Sequence, residues 1–172
     1  IHSAVIDARW SWENYPTLRS GMRGEPVVRL QRNLHLRLAE FGSLVPHVAV
    51  TGRFDQATVA SVRYLQCVAY LPVDAVVGLR TWDFLLAGVR SHPILSVGSR
   101  GAMVWQIQDT LRRVGLSVKV NGLFTPSLAE QLRYYQHLNG LLETGLVGRK
   151  TWAVLVRDRV RMPRWWLVMR SA

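Results

Sequence analysis

The chain has 172 residues, 49% of them hydrophobic, and a formal net charge of +11, which is material for one ordinary domain or two small ones with a filled core. No run of about 18 apolar residues occurs, which excludes a membrane-spanning helix on sequence, and the single cysteine, Cys67, excludes an internal disulfide and reads as a small buried hydrophobe. Of the 22 basic side chains 20 are Arg, and the surplus is uneven, +3 over residues 1–91 and +8 over 92–172, a balance that favours polyanionic company such as an acidic polymer, anionic lipid, nucleic acid or an acidic protein surface.

No secretory signal pattern stands at the front, and the chain opens on Ile1. It is therefore expected to be a fragment or processed form, with any targeting or catalytic segment upstream. Residues 1–17 read as an arm carrying Trp10 and Trp12 in "ARWSWENYP". From Leu18 the text is written twice. "LRSGMRGEPVVRLQRNL", residues 18–34, returns as "LSVGSRGAMVWQIQDTL" at 95–111, an offset of 77. The offset then drops to 70, pairing Gly52 with Gly122, Phe54 with Phe124, Tyr64 with Tyr134 and Gln66 with Gln136. "AVVGLRTWDFL" at 75–85 closes the first copy and "GLVGRKTWAVL" at 145–155 the second. The seven-residue difference is an insertion within "HLRLAEFGSLVPHVAV". The reading is two units, 18–88 and 95–156, with a linker at 89–94 and a tail at 157–172.

Each unit is predicted to hold three helices. In the first helix Val27, Leu30, Leu34, Leu38 and Phe41 share one helical face, as do Val104, Ile107, Leu111 and Val114 in the second unit. Gly24 and Gly101 stand at the N-caps, with Pro26 in a first turn where a missing N–H costs little. The middle helices are predicted to start on Asp55 and Thr125, whose side chains can accept from free first-turn N–H groups, and Pro126 follows in its preferred place. Val59, Val62, Leu65 and Ala69 form the apolar stripe of one, and Leu132, Tyr135 and Leu138 that of the other. The last helices start on Gly78 and Gly148 and turn Trp82 with Leu85, and Trp152 with Leu155, inward. Losing such a Trp is expected to cost about 3–5 kcal/mol.

These lines, L-x-x-G-x-x-G-x-x-V-x-x-L-Q, a Gly-x-Phe loop, a helix ending in Gln, and G-x-V-G-x-x-T-W-x-x-L, resemble the peptidoglycan-binding domain 1 family over both units. The fold class this implies is mainly α: two tandem three-helix peptidoglycan-binding-like units with N- and C-terminal extensions. The resemblance implies noncatalytic binding of bacterial cell-wall peptidoglycan and a place in the cell envelope, extracytoplasmic or membrane-associated. The loops depart from the family pattern. Its Asp-Gly pairs are Thr51-Gly52, Asn121-Gly122, Asp74-Ala75 and Thr144-Gly145 here, and its middle-helix Thr is Thr58 but Leu128 in the second unit. Thr, Asn and Asp all hydrogen-bond a nearby backbone, so the turns survive these exchanges.

No catalytic constellation is written in the chain, so it is not expected to be an enzyme, and a catalytic domain, if any, is expected outside it. His2, His35, His47, His92 and His137 are scattered without zinc-ligand spacing, so neither metal nor cofactor is expected. "GSRG" at 98–101 is a weak anion-nest candidate that its twin "GMRG" explains by helix capping. Gln31, Gln66, Gln108 and Gln136 read either as amides tying loop backbone or as groove-lining groups, and Tyr64 and Tyr134 as packing or sugar-stacking rings. The ligand-binding candidates are Arg53, Asp55, Tyr64, Gln66, Asp74 and Tyr134. In the tail, Arg164, Trp165, Trp166 and Arg170, with Trp10 and Trp12 of the arm, are candidates for docking on a protein partner or an anionic membrane surface. Alternatively the arms fold back over the units. The second functional reading is a docking subunit of a larger membrane-associated complex that reuses this fold. Nucleic acid is disfavoured, since charge comes without any recognised binding motif.

Overall fold

The computed structural model describes residues 14–42 and 47–163. Among the described residues six α-helices follow in order: α1 (Glu25–Ala39), α2 (Gln56–Val68), α3 (Leu79–Ala87), α4 (Ala102–Arg113), α5 (Pro126–Leu138) and α6 (Arg149–Arg161). A short 3-10 turn, Gly88–Ser91, follows α3. The mainly helical class and the tandem three-helix design are as expected. The chain forms two compact units, Ile1–Gln66 with Val73–Gly88, and Cys67–Pro72 with Val89–Ala172.

In the first unit α1 packs on α3. Val27, Leu30, Leu34 and Leu38 of α1, Val62 and Leu65 of α2, and Trp82 and Leu85 of α3 are buried. Phe41 lies beyond the end of α1 and is only half-buried. The Trp82 indole N–H donates to the Pro16 carbonyl at 2.9 Å, so the large apolar ring is buried with its one polar atom satisfied. Gly24 caps α1 with φ 109° and ψ −169°, a conformation that a side chain strongly disfavours. This is why the line before α1 carries Gly there, as does its twin Gly101 with φ 118°.

The second unit repeats the plan, with α4 packed on α6. Val104, Ile107 and Leu111, Leu132 and Tyr135, and Trp152 and Leu155 are buried. The Trp152 indole N–H donates to the Pro93 carbonyl at 2.8 Å. Two expected core positions are instead exposed: Val114 and Leu138. Val114 is the C-cap of α4 and Leu138 the last residue of α5, where the chain leaves the helical face that carried the pattern.

The repeat pattern ends at residue 156, but α6 continues to Arg161 and Arg159 is buried. Its guanidinium donates to Thr110 Oγ1, the Gln106 side-chain and backbone carbonyls and the Cys67 carbonyl, and lies 3.8 Å from the ring centroid of Tyr70. A buried charge persists when its donors are satisfied in this way. Tyr70 donates to Leu155 O at 2.9 Å, with Thr110 Oγ1 3.1 Å from the same hydroxyl, and burial pushes that hydroxyl up to about 12 against the opposing pull of Arg159. Among the described residues no helix is long and apolar enough to cross a membrane.

Candidate functional site

Four buried glutamines each clamp one turn. Gln31 of α1 accepts the backbone N–H groups of Thr51 at 2.8 Å and Gly52 at 2.9 Å, and its amide nitrogen donates to the Arg53 carbonyl at 2.9 Å and Thr58 Oγ1 at 3.0 Å. Gln66 of α2 accepts from Asp74 and Ala75 and donates to Asp74 Oδ1, the Val76 carbonyl and Thr81 Oγ1. Gln108 of α4 accepts from Asn121 and Gly122 and donates to Asn121 Oδ1 and the Leu123 carbonyl. Gln136 of α5 accepts from Gly145 and donates to Thr144 Oγ1, the Leu146 carbonyl and Thr151 Oγ1.

Within each turn the first side chain accepts the N–H two residues on: Arg53 to Thr51 at 3.2 Å, Val76 to Asp74 at 2.8 Å, Leu123 to Asn121 at 3.0 Å and Leu146 to Thr144 at 3.1 Å. Hydroxyl, amide and carboxylate oxygens thus do one job, so the loop departures leave the turn geometry in place. The second turn residue is left-handed, with φ between 60° and 75° at Gly52, Ala75, Gly122 and Gly145. Ala75 alone holds a Cβ in that region, at a cost of about 1–2 kcal/mol relative to the right-handed form. Leu128 is buried where the first unit has Thr58, so the Gln108 clamp is built without a hydroxyl at that position.

Both turns of a unit lie on one edge. In the first, Leu18 pairs with Val77 and Arg23 with Arg53, and a tight turn closed by the Met22 N–H on the Arg19 carbonyl lies between the two bridges. In the second, Leu95 pairs with Val147 and Arg100 with Leu123. The glycines of the opening line close this pairing, Gly21 N–H donating to the Phe54 carbonyl and Gly24 N–H to that of Gly52.

Arg53 and Asp55 fall in one clamped loop, with Arg53 exposed and Asp55 capping α2. The Thr58 N–H and hydroxyl both donate to Asp55 Oδ1, at 2.9 and 3.0 Å, and hold its carboxyl below the ordinary value of 3.8. Gln66 and Asp74 are bonded to each other at 2.9 Å; Gln66 is 1% exposed, so it positions the loop and only Asp74 reaches solvent. Tyr64 is half-buried on α2, apart from the clamped turns in sequence, and Tyr134 is exposed in the second unit. Trp10, Trp12, Arg164, Trp165, Trp166 and Arg170 lie outside the described residues.

Two repeated features escaped the sequence reading. Pro16 and Pro93, also 77 apart, supply the carbonyls that accept the two indoles. Arg63 and Arg133 are 70 apart, and a Cβ at Gly145 would come within 3.1 Å of Arg133 Nε, so a side chain there would have to shift the Arg133 guanidinium as well as hold a positive φ. Among the described residues no group of three or more His, Cys, Asp and Glu side chains is placed to hold a metal ion.

A family described as "Putative peptidoglycan binding domain" matches the chain twice, over residues 23–85 and 100–155. No curated protein and no solved structure matches it.

Proposed function

Because the chain belongs to this peptidoglycan-binding family in both of its units, we propose that it is a noncatalytic module that holds cell-wall peptidoglycan in the bacterial envelope through its clamped edges. The observation that carries the reading is the fourfold clamp. Side chains of the fold interior are committed to holding surface turns in one shape, in two units whose loops differ in sequence. A surface fixed before contact loses little conformational freedom on binding. In the first unit that edge offers Arg53 to a carboxylate, and Tyr64, half-buried on α2, is a second candidate as a flat ring for a sugar face. The chain's +11 charge complements an acidic polymer and raises encounter rates.

The test is co-sedimentation of the full chain with purified insoluble peptidoglycan at about 0.15 M and about 0.5 M salt, where screening strips adhesion that rests on charge alone. The bound fraction is expected to persist at the higher salt. Complete release at 0.5 M, or no co-sedimentation at either, overturns the reading.

A further inference from the structure

Two histidines that stand twelve residues apart in sequence come together at the surface of the first unit. His35 lies on α1 and His47 on the loop that follows it, and their ring centroids are 5.5 Å apart with the planes at 61°. Both side chains are exposed. Both also sit on anchored backbone, because Leu34 and Leu38 to either side of His35, and Val48 next to His47, are buried. Among the described residues neither ring is paired with a carboxylate, whereas a His137 ring nitrogen lies 2.8 Å from Glu143 Oε1. The pair is peculiar to the first unit. Arg112 stands at the repeat position of His35, and residues 112–120 carry no His.

An imidazole nitrogen is a preferred donor to zinc, at about 2.0–2.1 Å. A ring centroid then lies about 3.2 Å from the ion, and two rings at the tetrahedral angle stand about 5.2 Å apart; at a square-planar right angle the separation falls to about 4.5 Å. The observed 5.5 Å matches the tetrahedral arrangement. Rotation about χ2, which is soft for histidine, aims one nitrogen of each exposed ring at a common point. We propose that His35 and His47 hold a zinc ion, with the remaining positions taken by water or by an oxygen donor from outside the chain. Each neutral imidazole gives a lone pair to the ion, so no redox step is involved. Two protein ligands make an open, exchangeable site rather than a closed structural one. The ion ties the loop after α1 to the helix, and the site uses none of the residues of the clamped turns.

The experiment is calorimetric titration of the full chain, first freed of metal with a chelator, with zinc chloride, alongside thermal melting with and without excess zinc. The intact chain is expected to take up one zinc ion at this site and to melt later in its presence. Magnesium, which prefers oxygen ligands, should produce neither effect. His35→Gln and His47→Gln, tested separately, are each expected to weaken zinc binding at least about tenfold and to abolish the rise in melting temperature. Both positions are exposed, so without zinc each variant should melt with the intact chain; a variant that melts earlier is judged by the same zinc titration below its midpoint. His137→Gln, which removes an exposed histidine of the second unit, should leave zinc binding unchanged. Zinc affinity that is unchanged in either the His35 or the His47 variant overturns the proposal, as does loss of binding with His137. An equal response to magnesium, or no uptake at millimolar zinc, overturns it too.

Discussion

Replacing Gln136 with Leu removes one clamp while keeping the volume and the helix propensity of the site. Gln136 is buried, and its amide is the acceptor for the Gly145 N–H at 2.9 Å and a donor to the Leu146 carbonyl at 2.9 Å and Thr151 Oγ1 at 3.0 Å. After the change the Gly145 N–H is left buried without this acceptor. A buried polar group stranded in this way costs about 1–3 kcal/mol. The Leu146 carbonyl keeps weaker approaches from Thr144 Oγ1 and Thr151 Oγ1, each at 3.5 Å, so its loss is partial. The net expectation is about 2–4 kcal/mol of destabilisation, read as a shift of the urea midpoint at unchanged slope in circular dichroism. Faster hydrogen exchange at Gly145 and Leu146 than at the helix interiors should accompany it. Gln136→Glu sharpens the test. A carboxylate can still accept from Gly145 but faces the Leu146 carbonyl with no proton to give, so it should cost at least as much as Leu. A loss below about 0.5 kcal/mol for Leu, or a Glu variant as stable as the native chain, would refute the clamp as a source of stability.

Ala75→Gly should stabilise the chain by about 0.5–1 kcal/mol, because relief of the left-handed Ala at φ 60° outweighs the entropy that Gly adds to the unfolded chain; thermal melting checks it, and a lower midpoint contradicts it. Asp55 has a folded carboxyl held below 3.8 by Thr58, so its extra stabilisation is complete above that value and is lost as pH falls through the lowered one. The stability gap between the native chain and Asp55→Asn, measured in urea, should therefore close on acidification. Tyr70 has the opposite sign: its hydroxyl is raised from 10.0 to about 12, so its contribution is complete below pH 10 and is lost as pH rises toward 12. Tyr70→Phe should lose less stability between pH 9 and pH 11 than the native chain, while Tyr135, also raised by burial, keeps part of the slope in both.

The tandem architecture was legible because the repeat places the same residue type wherever the fold has the same need. Trp82 and Trp152, the capping glycines, and Asp55 and Thr125 at the starts of the middle helices all follow from spacing and side-chain chemistry. The glutamines were legible only as a choice between tying and lining, since a polar residue on an apolar face does not reveal which loop it meets. Their partners lie 8–27 residues away in sequence, and only the fold brings them together. Pro16 and Pro93 carried the repeat offset but offer only a carbonyl, which no side-chain pattern marks. Arg159 read as one more charge of a basic tail, because its burial depends on Gln106, Thr110 and Tyr70, which α6 does not predict. Val114 and Leu138 continued the helical spacing past the turn where the helix stops facing the core.

The central claim is that peptidoglycan is held on the clamped turns. Backbone amide shifts of the isotopically labelled full chain, followed by NMR during titration with soluble disaccharide–pentapeptide, test it most directly. The account predicts shifts concentrated at residues 51–55, 74–77, 121–124 and 144–147 and small elsewhere among the described residues. Saturable shifts centred on the outer faces of α1 or α4 with these four turns silent, or no shifts at millimolar ligand, would contradict it.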